Sequence, residues 1–252
     1  MTAPHDSEAY GRPMPRRTRA GTTPLDPDWL VTRRLERDLR RALARYARGT
    51  VLDVGCGGRP YESLLPQGAR MFGLDTPASV EAHPDALALA TALPIASASV
   101  DTVLCTQVIE HLAEPSACLR EIARVLRPGG HALISAPQAA NLHEEPFDFF
   151  RYTAFGLRHL CVKAGLEPVE VHPQGGFWAT IGFFSIIHVG SYARWAAERG
   201  GTRARSRWRA DLWPLRLPMA AVSLAFACLD ALPEPGLFAA NHLVVARRPE
   251  VS

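Results

Sequence analysis

The tightest constraint on this chain is a short apolar run that breaks on glycine, Val51-Leu52-Asp53-Val54-Gly55-Cys56-Gly57-Gly58. A strand that turns sharply into a helix needs residues that tolerate unusual φ. A ligand pressed against bare backbone needs no Cβ in its way. Both needs place a binding site at the carboxyl end of this strand, where open α/β sheets bind their ligands. A second apolar run, Arg70–Leu74, ends at Asp75, 20 residues after Gly55. At that spacing a carboxylate reaches a ribose diol.

The same alternation continues along the chain. Strand patterns occur at 50–54, 70–74, 86–90, 102–107, 131–135, 166–172 and 242–247. Helical patterns lie between them, at about 60–65, 114–126 and 153–164. The 114–126 helix carries Leu119, Ile122, Ala123 and Leu126 on one face and stops at Arg127-Pro128-Gly129-Gly130. Alternation at this spacing predicts an α/β fold with a doubly wound, mainly parallel seven-stranded sheet and helices on both faces. A helix over 28–48 precedes it, with Val31, Leu35, Leu39, Leu43 and Tyr46 on one face and seven arginines elsewhere. Residues 1–27, with four arginines and five prolines, read as a disordered tail. The rest, 28–252, reads as one domain: the helix at 28–48, a core at 49–173, a helical cover at 174–240 and the last strand at 241–248.

Composition bounds the function. With 47% hydrophobic and 21% charged residues, the chain suits a soluble globular protein. A net charge of +3 is too mild to call for nucleic acid, and none is expected as a partner. The basic residues are 27 arginines and the single Lys163, a bias that makes any one arginine cluster less informative. Cys56, Cys105, Cys118, Cys161 and Cys228 are scattered, which argues against a disulfide framework and a cysteine zinc site. The arginine-bearing start has no apolar stretch behind it, so it is not a secretory signal, and a cytoplasmic protein is expected.

The glycine bend and Asp75 fit either a dinucleotide or S-adenosylmethionine, and two details separate them. The dinucleotide fingerprint wants Gly or Ala where this chain has Pro60. Asp53, inside the strand, suits the cationic amino-acid end of S-adenosylmethionine and would repel a pyrophosphate. The expected cofactor is S-adenosylmethionine. A nicotinamide-dependent oxidoreductase is the alternative enzyme, and a non-catalytic binding protein of the same fold the other alternative.

Residues 49 to 137 resemble the core of class I S-adenosylmethionine-dependent methyltransferases of the type-11 domain kind. Five landmarks coincide in order: Val51–Gly57; Leu74-Asp75; Leu93-Pro94-Ile95 before Ser99–Val103; Val108-Ile109-Glu110-His111-Leu112; and Arg124–Gly130. The resemblance implies a Rossmann-like fold whose last strand runs antiparallel. It further implies that Asp53, Gly55, Cys56 and Gly57 line the methionine end, Asp75 the ribose hydroxyls, and Gln107 the floor near the methyl group. Thr76 and Leu93 would flank the adenosine. Two positions depart from the family. Arg59 replaces the last glycine of D-x-G-x-G-x-G, so a somewhat different bend is expected. Leu89 stands where an acid commonly holds the adenine amino group, leaving adenine to backbone groups, Thr91 or apolar stacking.

An oxygen nucleophile must lose a proton during methyl transfer, so a general base is expected near it. The segment Asn141–Thr153 is dense in ionisable and aromatic groups and follows the fifth strand. His143 has a suitable intrinsic pKa, and Glu144 or Glu145 could orient it. His111 is a second candidate base or a wall of the site. A plain structural reading of the segment pairs Arg151 with Asp148. Nothing in the spacing of His143, Glu144 and Asp148 requires a metal, and none is expected. The stretch resembles the H-E-x-P-x-D-x-x-R-Y-T run of bacterial methyltransferases linked to cell-surface glycan or natural-product assembly. The expected acceptor is therefore a small-molecule, glycan or lipid-linked hydroxyl.

Two apolar runs, 173–193 and 219–229, read as helices covering the substrate side of the sheet. Arg199, Arg203, Arg205, Arg207 and Arg209 with Trp208 lie between them. That pattern fits peripheral contact with an anionic bilayer, and it equally fits a plain linker.

Overall fold

A computed structural model describes residues 20–76, 84–199 and 213–250. The first helix, α1 (Trp29–Tyr46), leads into β1 (Thr50–Val54), β2 (Arg70–Asp75), β3 (Ala86–Leu87) and β4 (Val100–Thr106). Helix α2 (Pro115–Val125), β5 (Leu126–Pro137), α3 (Ala154–Lys163) and β6 (Glu167–Gln174) follow. The chain then forms α4 (Phe177–Arg199) and α5 (Trp213–Leu229) before closing with β7 (Asn241–Arg247). The seven strands lie in the order β3-β2-β1-β4-β5-β7-β6, with β7 antiparallel to both neighbours. This is the doubly wound α/β sheet that the alternating pattern implies.

Strand alternation sends side chains to two separate cores. Leu52, Val54, Val103, Cys105, Ile134 and Val244 face α2 and α3. Val51, Leu104, Leu133, Leu243 and Val245 face α1, meeting Leu39, Ala42 and Leu43. Helix α2 starts with Pro115 in its first turn, where the missing amide costs nothing, and buries Cys118, Leu119, Ile122 and Val125. Thr153 caps α3 by accepting from the Gly156 amide at 3.1 Å.

Several boundaries differ from the sequence pattern. The strand expected over 86–90 is only Ala86–Leu87, because Leu89 turns back to bridge Ala92. The helix expected at 60–65 shrinks to a 3-10 turn at Glu62–Leu64. The fifth strand begins at Leu126, five residues early, and absorbs Arg127–Gly130, with Gly129 at φ +77 and a register irregularity against β4. Of the expected tail, residues 1–19 lie outside the described residues. Gly21 and Thr22 fold back to donate to Glu36 on α1.

Helices α4 and α5 form a hairpin that starts where β6 ends, at the carboxyl edge of the sheet, and packs on α1. Leu30 enters it so closely that a Cβ on Gly182 would stand 2.7 Å from the Leu30 Cδ1 atom. Asp230, at the end of α5, fixes the arrangement. Its buried carboxylate accepts from Arg33 at 3.2 Å, from Arg34 at 2.6 Å and from the Gly176 amide at 3.1 Å. Two of the seven arginines outside the apolar face of α1 are therefore engaged. Arg203, Arg205, Arg207, Trp208 and Arg209 lie outside the described residues. No described helix is long and apolar enough to cross a membrane.

Removing one partner of a buried ion pair leaves the other charge uncompensated. Asp230→Ala should therefore cost on the order of 2 kcal/mol or more, and it should first release α4 and α5. Hydrogen exchange should quicken in these two helices while β1, β4 and β5 keep their protection.

Candidate active site

The bend after β1 is held by backbone. Gly55 and Cys56 amides both donate to the Leu74 carbonyl, at 2.8 and 3.0 Å. Gly55 has φ +74, and a Cβ there would stand 2.4 Å from a Val108 methyl, so its bareness serves the packing of Val108. Gly57, at φ +51, donates its amide to Asp75 Oδ2 at 2.7 Å. The carboxylate at the tip of β2 thus reaches across to the glycine bend. Arg59 takes the glycine-like φ of +56 itself, so the turn keeps its sense despite the departure. Its guanidinium ties the loop to β2 through the Met71 carbonyl at 3.0 Å. The Cys56 side chain is buried against β2, where a Cβ on Gly73 would stand 2.7 Å from its sulfur. Burial, with Asp53 and Asp75 nearby, pushes its thiol up to about 12, which leaves it unreactive and its backbone as the part able to meet a ligand.

Asp53 shares the sheet face of Val51 and is 1% exposed. Among the described residues, neither of its oxygens has a hydrogen-bond partner. Burial first, then the charge of Asp75, raise its carboxyl to about 7. Asp53 on β1 and Asp75 at the tip of the neighbouring β2 lie at the same end of the sheet, on either side of the glycine bend. Asp75 is buried too, and its Oδ1 accepts from the Thr76 amide at 2.7 Å. A carboxylate has about four acceptor positions, enough to keep both backbone bonds and receive a diol hydroxyl.

The remaining expected contacts are placed unevenly. Leu93 is buried in the core facing α2, its amide held by Glu121 at 2.7 Å and its carbonyl by Arg124 at 3.0 Å. Leu89, at the position of the missing acid, is exposed. Gln107, at φ +55, leaves the tip of β4 and donates its side-chain amide to Ser135 at 3.1 Å and Asn241 at 2.9 Å. It sits at the carboxyl edge as expected, locked into a network that continues to Gln174 on β6.

The second half of the site is an imidazole–carboxylate cluster. A short 3-10 turn, Ile109–His111, carries Glu110 and His111. The segment after β5 docks on it by backbone, with the Phe149 and Phe150 amides both donating to the Glu110 carbonyl at 2.9 and 3.2 Å. The Tyr152 hydroxyl adds a bond to the Ile109 carbonyl at 3.0 Å. This brings the His143 ring edge-on to His111, with centroids 4.8 Å apart. His111 Nε2 lies 3.9 Å from Glu144, a residue at φ +52. Burial lowers the His111 pKa against the opposing pull of Glu144. Asp148 is paired twice by Arg151, at 2.6 and 2.8 Å, as the structural reading anticipates, and also accepts from the His143 amide at 3.0 Å. Burial opposes its charge, but these bonds hold it at about 2.

Glu110 is the residue that sequence reasoning missed. It is fully buried, and neither carboxylate oxygen has a partner among the described residues. Burial pushes its carboxyl up to about 8. The landmark Val108–Leu112 contains it, but nothing in that spacing distinguishes a core acid from one facing a site.

The sulfonium nucleoside expected from the sequence fits the first half of this arrangement. Asp53 has two buried acceptors without partners beside a second acid, and a cationic amino group satisfies them. Asp53→Asn should weaken S-adenosylmethionine binding by roughly ten- to a hundredfold, the worth of a charged hydrogen bond. Asp75→Ala should also weaken it while the fold survives. Because the ionised form of Asp53 is the one that binds a cation, affinity should rise roughly tenfold between about pH 6 and pH 8 in calorimetry, and less in the Asn variant. For Glu110 the folded pKa is raised, so its cost to stability is absent below the ordinary carboxyl value and grows as pH climbs toward about 8. Glu110→Gln should accordingly melt higher than the parent near pH 8, with the gap closing toward about pH 5.

Comparison with known proteins agrees with this geometry. A family model described as a methyltransferase domain matches residues 52–134. A protein of Mycolicibacterium smegmatis named a probable S-adenosylmethionine-dependent methyltransferase is 32% identical over 185 residues, spanning 68% of this chain and 67% of its own. A ubiquinone biosynthesis O-methyltransferase of Aliivibrio fischeri is 36% identical over 100 residues, or 34% of this chain. The match spans 42% of that relative's length. Among solved structures, the cyclase SpnF superposes with a TM-score of 0.53 at 19% identity, covering 86% of this chain and 82% of that one. That last likeness is one of fold, and a fold hosts many chemistries. The domain match and the mycobacterial relative decide between the cofactors that a glycine bend allows: this enzyme uses S-adenosylmethionine. The chain belongs to the class I S-adenosylmethionine-dependent methyltransferases.

Proposed function

We propose that the methyl acceptor is a hydroxyl oxygen of a small-molecule, glycan or lipid-linked substrate, activated at the cluster of His111, His143 and Glu144. The observation that carries this reading is the tethering of both imidazoles. His111 Nδ1 lies 2.9 Å from the Phe147 carbonyl and His143 Nδ1 2.9 Å from the Asn141 carbonyl. A carbonyl only accepts, so each Nδ1 carries a proton, and an imidazole with one proton then has its lone pair on Nε2. An imidazole oriented in this way is suited to take a hydroxyl proton through Nε2.

When bound, S-adenosylmethionine supplies an electrophilic methyl group on a sulfonium. The protein contributes alignment and a dry site. Val108 links the two halves, since it packs on Gly55 and stands three residues before His111. Three residues span at most about 10 Å, so the backbone of the 3-10 turn carrying His111 starts beside the bend. Asp148, itself paired with Arg151, holds the His143 backbone, and Glu144 stands by to offset charge gained on His111. The Aliivibrio relative, named for O-methyl transfer, supports an oxygen acceptor. A groove of about 360 Å³ between Phe177, Trp178, Leu237 and Phe238 at the start of α4 suits an apolar portion of the acceptor.

His143→Ala should lower kcat by roughly a hundredfold or more, the usual worth of a general base, with cofactor affinity unchanged. If His111 is the proton acceptor, the acid limb of kcat should fall below the ordinary imidazole value, and His111→Ala should erase that limb. Mass spectrometry of extracts with and without the gene should show a one-methyl difference on a hydroxyl. A methylated amine or carbon instead would overturn the reading.

A further inference from the structure

Glu110, His111 and His143 present one donor atom each within 4.8 Å of one another. Three features of the cluster point to a ligand. Glu110 is 0% exposed, and among the described residues both of its oxygens lack a partner. Both imidazoles are fixed through Nδ1 by backbone carbonyls, which is how proteins orient a histidine that binds metal through Nε2. His111 Nε2 stands 4.0 Å from Glu110 Oε1 and 3.9 Å from Glu144 Oε2, too far for hydrogen bonds. Donors about 2.0–2.2 Å from one ion lie roughly 3–3.5 Å apart, so a small inward movement of these side chains closes a shell.

We propose that Glu110, His111 and His143, with Glu144 as a fourth donor, bind a divalent first-row transition-metal ion. The donor set selects the ion class. Imidazole suits zinc, cobalt, nickel and iron, whereas magnesium and calcium prefer oxygen alone. Two histidines and a carboxylate leave positions open, and a hydroxyl held there loses its proton more readily. The Nε2 atoms would hold such an ion, which would ease loss of the proton from a hydroxyl bound at an open position, so the same cluster would activate the acceptor. This consequence rests on the hydroxyl-acceptor reading; binding of the ion does not. The ligands come from two segments 32 residues apart, which is why no spacing in the sequence displays them.

The test uses the full chain, stripped with a chelator and titrated with cobalt(II), then zinc. One equivalent of cobalt should bind with visible absorption bands of a nitrogen–oxygen site, and zinc should displace it. His143→Ala and Glu110→Gln should each weaken cobalt binding at least tenfold while S-adenosylmethionine affinity and a cooperative melt persist. Should one variant fail to fold, the other and Glu144→Gln carry the comparison. Binding below one equivalent, or binding undiminished in the folded variants, overturns the proposal. The titration uses neither acceptor nor turnover, so its failure leaves the hydroxyl reading standing. A product methylated elsewhere than on oxygen leaves the metal site standing.

Discussion

A buried carboxylate that has no hydrogen-bond partner among the described residues organises this molecule. Asp53 sits in the middle strand region of a parallel sheet, sealed from solvent, with Asp75 close enough to raise its pKa further. Isolated burial of an ionised carboxylate is costly enough that a protein ordinarily neutralises or pairs it. Here burial answers the cost by raising the carboxyl to about 7, and among the described residues no hydrogen-bond donor meets it, which leaves a place for a cationic group. Glycine conformations, the bonds from Gly57 and Thr76 to Asp75, and the compact fit of Cys56 on Gly73 all hold that pair of acids in place.

The two halves of the site are mechanically joined. Val108 fills the space that a side chain at Gly55 would take, and Glu110 and His111 follow directly. One packed valine thus places the turn that bears Glu110 and His111 against the glycine bend. On the far side, Gln107, Ser135, Asn241 and Gln174 lock the ends of β4, β5, β7 and β6 into one polar network. The carboxyl edge of the sheet is thus rigid across four strands.

Much of this was legible in the residues. Periodicity identified seven strands in the right sequence, because apolar runs bounded by glycine and proline report burial directly. The expectation of a cationic nucleoside comes from Asp53 inside its strand and from Pro60 where a dinucleotide fingerprint wants a small residue, both of which are local features of the sequence. Local energetics hid the rest. Ala86–Ala90 has strand-like composition, yet only two residues pair, since β2 ends at Asp75 and Leu89 turns back to bridge Ala92. Arg127–Gly130 reads as a stop, yet the chain continues as a strand through a bulge that Gly129 permits. Glu110 looked like one polar residue among many, because burial is a property of the tertiary fold. The meeting of His111 with His143 depends on a docking between distant segments.

That docking runs through main-chain atoms: two amides of Phe149 and Phe150 on one carbonyl, and the Tyr152 amide on Pro137. With the buried Tyr152 hydroxyl and the Asp148–Arg151 pair as its side-chain anchors, the rest of this frame is peptide and depends little on the exposed side chains it carries. Substitutions at the exposed faces of this segment can therefore accumulate without dislodging it. Its path is set by the bonds of Phe149, Phe150 and Tyr152 to the Ile109–His111 turn and the end of β5, so variation among its solvent-facing side chains leaves the meeting of the two imidazoles in place.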